Sequence, residues 1–279
     1  MAVPAAAYAS SDEKPASVRT LNGYLMVVKV SLNDRGAFDF LVDTGTNTTL
    51  IDPALAAELN LKPVDHLALT TLSDATPVAR YYADKVQIGS ASVSHLEILA
   101  APLAELRSLD GKLRGVLGMN FLLQFSFLLD YRHHRMEIFP YPDSAPVPQG
   151  QRVRVRINDS RILMPASSDS ASKGTWNLVL DSGIAGLLLF QSRTRLPEKA
   201  CYESACMMQV STNGGSHGGN TTVIPEMEIA GNRVLNQPVV VLKNELLNPE
   251  DPQDGLLPAS FFDSVFFDRS NGTLVVRAK

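Results

Sequence analysis

The chain carries one pattern twice. At Phe40–Leu41–Val42–Asp43–Thr44–Gly45–Thr46, three apolar residues run straight into an acidic turn. At Leu178–Val179–Leu180–Asp181–Ser182–Gly183 the pattern returns 138 positions later. An apolar run of this kind reads as a buried strand. A carboxylate at the end of such a strand is costly to bury unless it is hydrogen-bonded or does chemistry. Gly45 permits a sharp turn, and Thr44 and Thr46 set hydroxyls beside the acid. A single Asp-Thr-Gly is a weak signal, because strand-to-turn Asp-Gly pairs are common. Its recurrence in matched context is a strong one.

The repeat extends beyond the tripeptides. Gly115–Val116–Leu117–Gly118 follows the first acid, and Gly255–Leu256–Leu257–Pro258 follows the second at nearly the same interval. Behind them come Phe127–Leu128–Leu129–Asp130 and Val265–Phe266–Phe267–Asp268. Each half also carries a hairpin pattern before its second glycine element. Internal repetition of this length implies two similar lobes, each presenting one Asp loop.

On these motifs the chain, from about Val18 to Val276, resembles the two-lobed aspartic peptidases of the pepsin/retropepsin-like superfamily, and in particular a bacterial-type member. The resemblance implies an all-β fold. Two homologous β-barrel-like lobes, with a few short helices, would face each other across a cleft. It implies Asp43 and Asp181 as the catalytic pair. Thr44, Gly45, Thr46, Ser182 and Gly183 would support the loops, and Gly118 would belong to the element crossing beneath the first loop. A hairpin tipped by Leu72, Ser73, Asp74 and Ala75 would be the flap over the substrate, with no tyrosine at its tip. The second lobe ends its crossing element in Pro258 where the first has glycine.

Composition sets outer bounds. At 279 residues and 45% hydrophobic, the chain can bury one large or two medium cores. A net charge of −4 gives no reason to expect nucleic acid or an anionic membrane as partner. No apolar run approaches the roughly 18 residues of a membrane span. The Ala-rich N-terminus lacks a basic region and a long apolar core. Ala7–Tyr8–Ala9 nevertheless has the form of a cleavage site, so a trimmed leader and a plain tail both fit. Cys201 and Cys206, the only cysteines, suit a local disulfide and an extracytoplasmic (periplasmic or secreted) location, against two free thiols in the cytoplasm. The four Asn-x-Ser/Thr sequons, at Asn47, Asn158, Asn220 and Asn271, read as chance matches.

In order, residues 1–17 read as a disordered tail, 18–139 as the first lobe, 140–151 as a Pro-rich linker and 152–279 as the second lobe. Pro53–Asn60 reads as a short helix capped by Asp52. Leu67–Tyr82 reads as two strands around residues 73–77, and Met119–Gln124 as a brief helix. Arg152–Ile157 reads as one half-buried strand, and Val210–Asn220 as the second lobe's counterpart of the flap hairpin. Trp176 is a core residue. His133–His134 lie at a hairpin turn without the third ligand a metal site needs, so no metal and no cofactor are expected.

The chemistry follows from the acids. Two close carboxylates cannot both ionise easily, so they share one proton and titrate as a unit. The ionised partner can take a proton from water while the other donates to a scissile carbonyl. No nucleophile elbow, zinc-protease motif or phosphate loop competes. The reading is an aspartic endopeptidase, a monomer acting on peptide or protein substrates. The alternative, motivated by Ile184 and Pro258, is a catalytically weak or inactive pseudopeptidase that binds peptides.

Overall fold

A computed structural model of the chain describes residues 6–7, 18–70, 75–139, 147–196, 207–212, 215–242 and 251–279; for 6–7, 207–212 and 215–218 it describes the backbone alone. The first lobe is one nine-stranded sheet, the second an eight-stranded sheet, and a five-stranded sheet joins them.

Both lobes apply the same local rule. In the first, the strand Arg35–Val42 leads to Asp43 and pairs in parallel with Leu113–Leu117. That strand also pairs antiparallel with the short strand Thr49–Ile51, which lies parallel to Ala91–Ala100. In the second, Thr175–Asp181 pairs in parallel with Gly255–Pro258, which pairs antiparallel with Leu188–Phe190. Leu188–Phe190 lies parallel to Asn232–Leu242. The apolar runs before each acid are buried on both faces of their sheets, as near-continuous hydrophobic strands require. Two glycines make the tight pairing possible. A Cβ on Gly115 would lie 2.6 Å from the Leu50 carbonyl oxygen, and one on Gly255 would lie 2.2 Å from that of Leu188.

The expected helices and hairpins form. Pro53–Glu58 is helical, and the Asp52 carboxylate accepts from the Ala54 N–H at 2.8 Å. The helix Met119–Leu122 follows Gly118 directly. Strands Asp65–Thr70 and Ala75–Ile88 pair up to Thr70 opposite Ala75. The flap residues Leu72, Ser73 and Asp74 lie outside the described residues, and Ala75 is exposed at the start of its strand. Met207–Thr212 and Gly215–Ile229 form the corresponding hairpin of the second lobe. Trp176 is fully buried, and its indole N–H donates to the Arg193 carbonyl at 3.0 Å. Cys201 and Cys206, and most of the linker, lie outside the described residues. So does most of the N-terminal segment, but Ala6 and Ala7 pair with Val93 and Ser92. Among the described residues no helix is long and apolar enough to cross a membrane.

One expectation is corrected. Arg152–Ile157 is not a single strand but two, Gln151–Arg154 and Arg156–Asn158, in different sheets. The first pairs with the C-terminal strand Thr273–Arg277 and buries Val153; the second pairs with Arg161–Ser167 and is exposed throughout. Alternating Arg and apolar residues satisfy the local pattern of one strand. The chain breaks at Val155 because its two ends have different partners.

The joining sheet runs in the order Arg135–Phe139, Ser126–Asp130, Ser264–Asp268, Thr273–Arg277, Gln151–Arg154, so each lobe contributes strands. Its centre is Phe127 opposite Phe267, with ring centroids 5.5 Å apart. Equivalent hairpin turns close it on both sides. Against the cost of burial, hydrogen bonds from His133 and Arg135 hold the Asp130 carboxyl below the usual range. Asn271 and Arg152 do the same for Asp268. His133 therefore serves the turn. Phe267→Ala should lower unfolding free energy by about 3–5 kcal/mol in a urea titration, because the ring fills the core shared by both lobes. A loss below about 1 kcal/mol would mean that the Phe127–Phe267 pair does not hold the lobes together.

Candidate active site

The two parallel pairings bring both acidic loops to the lobe interface. There the residues after each acid clasp the opposite loop. The Thr44 N–H donates to Ser182 Oγ at 3.0 Å, and the Ser182 N–H donates to Thr44 Oγ1 at 3.0 Å. The Thr44 hydroxyl in turn donates to the Leu180 carbonyl at 2.7 Å, and the Ser182 hydroxyl to the Val42 carbonyl at 2.8 Å. Each hydroxyl thus accepts once and donates once across the interface, and all four partners are buried.

The acids sit just above this clasp. Asp43 Oδ1 accepts from the Gly45 N–H at 2.8 Å, and Asp181 Oδ1 accepts from the Gly183 N–H at 2.7 Å. The two carboxyls lie close enough for each to act on the other's proton affinity. Why glycine follows each pair is now visible. Neither Gly45 nor Gly183 has the left-handed backbone that only glycine accepts easily, so the turn does not demand it. Space does: a Cβ on Gly45 would lie 2.3 Å from Asp181 Oδ2, and one on Gly183 would lie 3.1 Å from Asp43 Cγ. Each glycine makes room for the carboxyl of the other lobe.

The crossing elements differ as the sequence does. The Asp43 N–H donates to the Leu117 carbonyl at 3.1 Å. The Gly118 N–H donates to Thr49 Oγ1 at 3.2 Å, and a Cβ there would lie 2.6 Å from the Thr48 backbone. Asn120 completes this support by accepting from both the N–H and the hydroxyl of Thr49. In the second lobe Pro258 stands opposite Asp181 in the parallel ladder, so a residue without N–H or glycine's flexibility still supports the loop closely.

The acids are not equivalent. Burial pushes both carboxyls above the ordinary carboxylate range. For Asp43 this is opposed by the Thr46 hydroxyl, which donates to Oδ2 at 2.9 Å, and by the Gly45 N–H and the Asp181 carboxyl. For Asp181 the negative charge of Asp43 adds to burial and takes it well above that range; the Gly183 N–H and the Arg161 charge oppose this only in part. Ile184, the counterpart of Thr46, is buried and has no proton to donate. The Thr46 hydroxyl thus favours the charged form of Asp43, and Ile184 offers Asp181 no such donor.

Three neighbours were not anticipated from sequence. Tyr131 is buried, its hydroxyl has no hydrogen-bond partner among the described residues, and burial with the charges of Asp181 and Asp43 holds its phenol protonated. Burial and Asp181 likewise raise Tyr24. Both rings line a cavity of about 240 Å³ that Ser260 and Asp263 also border. Arg161 is the third. No spacing signal marks any of them, because tertiary structure brings each to the site: Tyr24 and Tyr131 from turns, Arg161 from a strand. Tyr131 alone had a cue, its place directly after the repeated apolar strand ending in Asp130.

The chain has the two-lobed all-β fold of a pepsin-like aspartic proteinase. Residues 28–121 match the family model described as Aspartyl protease. The crystal structure of an aspartic proteinase from Irpex lacteus shares the fold over 99% of this chain and 98% of its own, with a TM-score of 0.51 and 14% sequence identity. No curated protein matches the chain. The family match and the fold together support aspartic peptidase activity.

The clasp yields a stability prediction. Thr44→Val and Ser182→Ala each strip a hydroxyl and leave two buried groups of the other loop unpaired, so each should cost about 1–3 kcal/mol. In a double-mutant cycle the losses should be clearly less than additive, because both substitutions break the same interface. Full additivity in chemical denaturation would show that the two hydroxyls act separately.

Proposed function

We propose that the chain is an aspartic endopeptidase. The observation that carries this reading is the pair of buried carboxyls, one from each lobe, brought together by the reciprocal Thr44–Ser182 bonds. In the proposed reaction, ionised Asp43 takes a proton from a water molecule placed between the acids. The water oxygen bonds to the scissile carbonyl carbon, and Asp181 delivers its proton to the carbonyl oxygen. The resulting tetrahedral diol collapses as Asp181 takes a hydroxyl proton back and Asp43 passes its own to the amide nitrogen. The C–N bond breaks to an acid and an amine, and the pair again holds one proton. The Gly45 and Gly183 N–H groups keep each carboxyl in place through the cycle. No covalent intermediate is required.

One chain supplies both acids, so a monomer contains the complete site. We propose that it works as one, with peptide or protein substrates, outside the cytoplasm. The closely spaced Cys201 and Cys206 support that location.

Asp43→Asn and Asp181→Asn should each abolish cleavage of a mixed peptide library while circular dichroism stays unchanged. Near-normal turnover in either variant would rule out the shared pair.

The unequal acids also set an expected pH range. Burial and the charge of Asp43 hold Asp181 up, and the missing hydroxyl at Ile184 leaves it without the donor that Thr46 gives Asp43. We therefore place the optimum in mildly acidic solution, about pH 4–6, above that of an enzyme with a donor on both sides. Ile184→Thr adds a donor to the charged form and so lowers the pKa. Asp181 must stay protonated, so the alkaline limb of kcat/KM on an internally quenched peptide should move down by on the order of half to one pH unit. Full wild-type activity near pH 2, with no displacement in the variant, would contradict this.

A further inference from the structure

The cleft is electrically lopsided in a way the catalytic pair does not use. Arg161–Ser167 pairs antiparallel with the Asp181 strand, Leu163 opposite Val179. Continued by two residues, that register sets Arg161 opposite Asp181. Side chains opposed in an antiparallel pair share a face, with Cβ atoms roughly 4.5–5.5 Å apart. In the first lobe the matching register sets Leu25 opposite Asp43, and Leu25 is buried in an apolar cluster. An apolar residue on one side of the dyad is thus answered by a cation on the other.

Arg161 is half-buried, yet among the described residues it has no ion-pair or side-chain hydrogen-bond partner. The nearest acid in the chain, Asp159, is turned to another task. Its carboxylate accepts from the Asn47 side-chain amide at 2.9 Å and so ties this turn to the Asp43 loop. Asp159 and Ser160 both have left-handed backbone, at φ 45° and 61°, and form the tight turn that presents Arg161. The guanidinium is close enough for its charge to act on Asp181. A partly desolvated guanidinium whose N–H groups have no partner among the described residues leaves a fork of donors for a ligand. Its planar fork matches a carboxylate with two parallel hydrogen bonds.

We infer that Arg161 is a specificity residue that binds a carboxylate of the peptide substrate close to the scissile bond. The inference rests on the peptidase reading above. An extended peptide rises by about 3.3 Å per residue, so the carboxylate falls within roughly two residues of the bond cleaved. Two sources carry that group: an Asp or Glu side chain, and the free C-terminus of a short peptide.

The test is a set of internally quenched peptides. In one series Glu is scanned through the three positions on each side of the cleavage point, each peptide paired with its Gln twin. In a second series the peptides end in a free carboxylate or an amide at varied distance. At one position the wild type should favour the acid by on the order of tenfold in kcat/KM, the gain of one charge-assisted contact. The series in which this appears identifies the source. In Arg161→Gln the ratio should fall to about one, in Arg161→Lys it should be intermediate, and Arg161→Glu should favour a Lys peptide over the Glu peptide. Each ratio is taken within one protein, so a general loss of activity cancels.

Binding provides a second arm. By fluorescence anisotropy, the Asp43→Asn variant should bind the acidic peptide better than its neutral twin, and adding Arg161→Gln should remove the difference. A preference that survives Arg161→Gln, or no preference for a carboxylate at any position in either series, overturns the inference. Turnover without acid preference would leave the proposed reaction standing and remove Arg161 from it. Acid-selective binding without turnover would keep Arg161 and remove the reaction.

Discussion

Everything in this molecule depends on holding two carboxyls together in a place where neither is at ease. Buried acids held this close repel when ionised and are costly when desolvated. The reciprocal bonds between Thr44 and Ser182 make the arrangement tolerable. They join backbone to hydroxyl in both directions, so neither loop can withdraw without leaving buried donors and acceptors unpaired. The joining sheet beneath, centred on Phe127 and Phe267, gives the clasp two rigid supports.

Near-symmetry produces the pair, and departures from symmetry divide the labour. Thr46 donates to Asp43, while Ile184 leaves Asp181 without an equivalent donor. The antiparallel registers, carried on by two residues, bring Leu25 towards Asp43 and Arg161 towards Asp181. The Thr46 donor favours charge on Asp43, while the charge of Arg161 works the other way and offsets only part of the rise at Asp181. Pro258 shows how far the copies can diverge: its ladder position opposite Asp181 is kept although it has no N–H to donate.

Some readings failed for an instructive reason. Arg152–Ile157 has the alternation of one strand, and alternation reports only which residues face a core. It does not report which sheet supplies that core, so the break at Val155 stayed hidden. Gly45 looked necessary for a turn because glycine usually is. Its actual constraint comes from Asp181, 136 residues away in the chain and close in space.

By itself the sequence determined the two-lobed all-β plan and the two matched segments that end in Asp43–Thr44 and Asp181–Ser182. These were legible because each lobe must build its own loop from a contiguous segment: apolar strand, acid, hydroxyl, glycine. Whatever lies within one segment leaves a local pattern, and a duplicated segment leaves it twice. Tertiary structure alone decided what depends on sheet register between distant strands. It set Tyr24, Tyr131 and Arg161 near the acids, put strands of both lobes into one joining sheet, and gave the two carboxyls different proton affinities. Register is a property of two segments at once, and nothing in either segment alone records it.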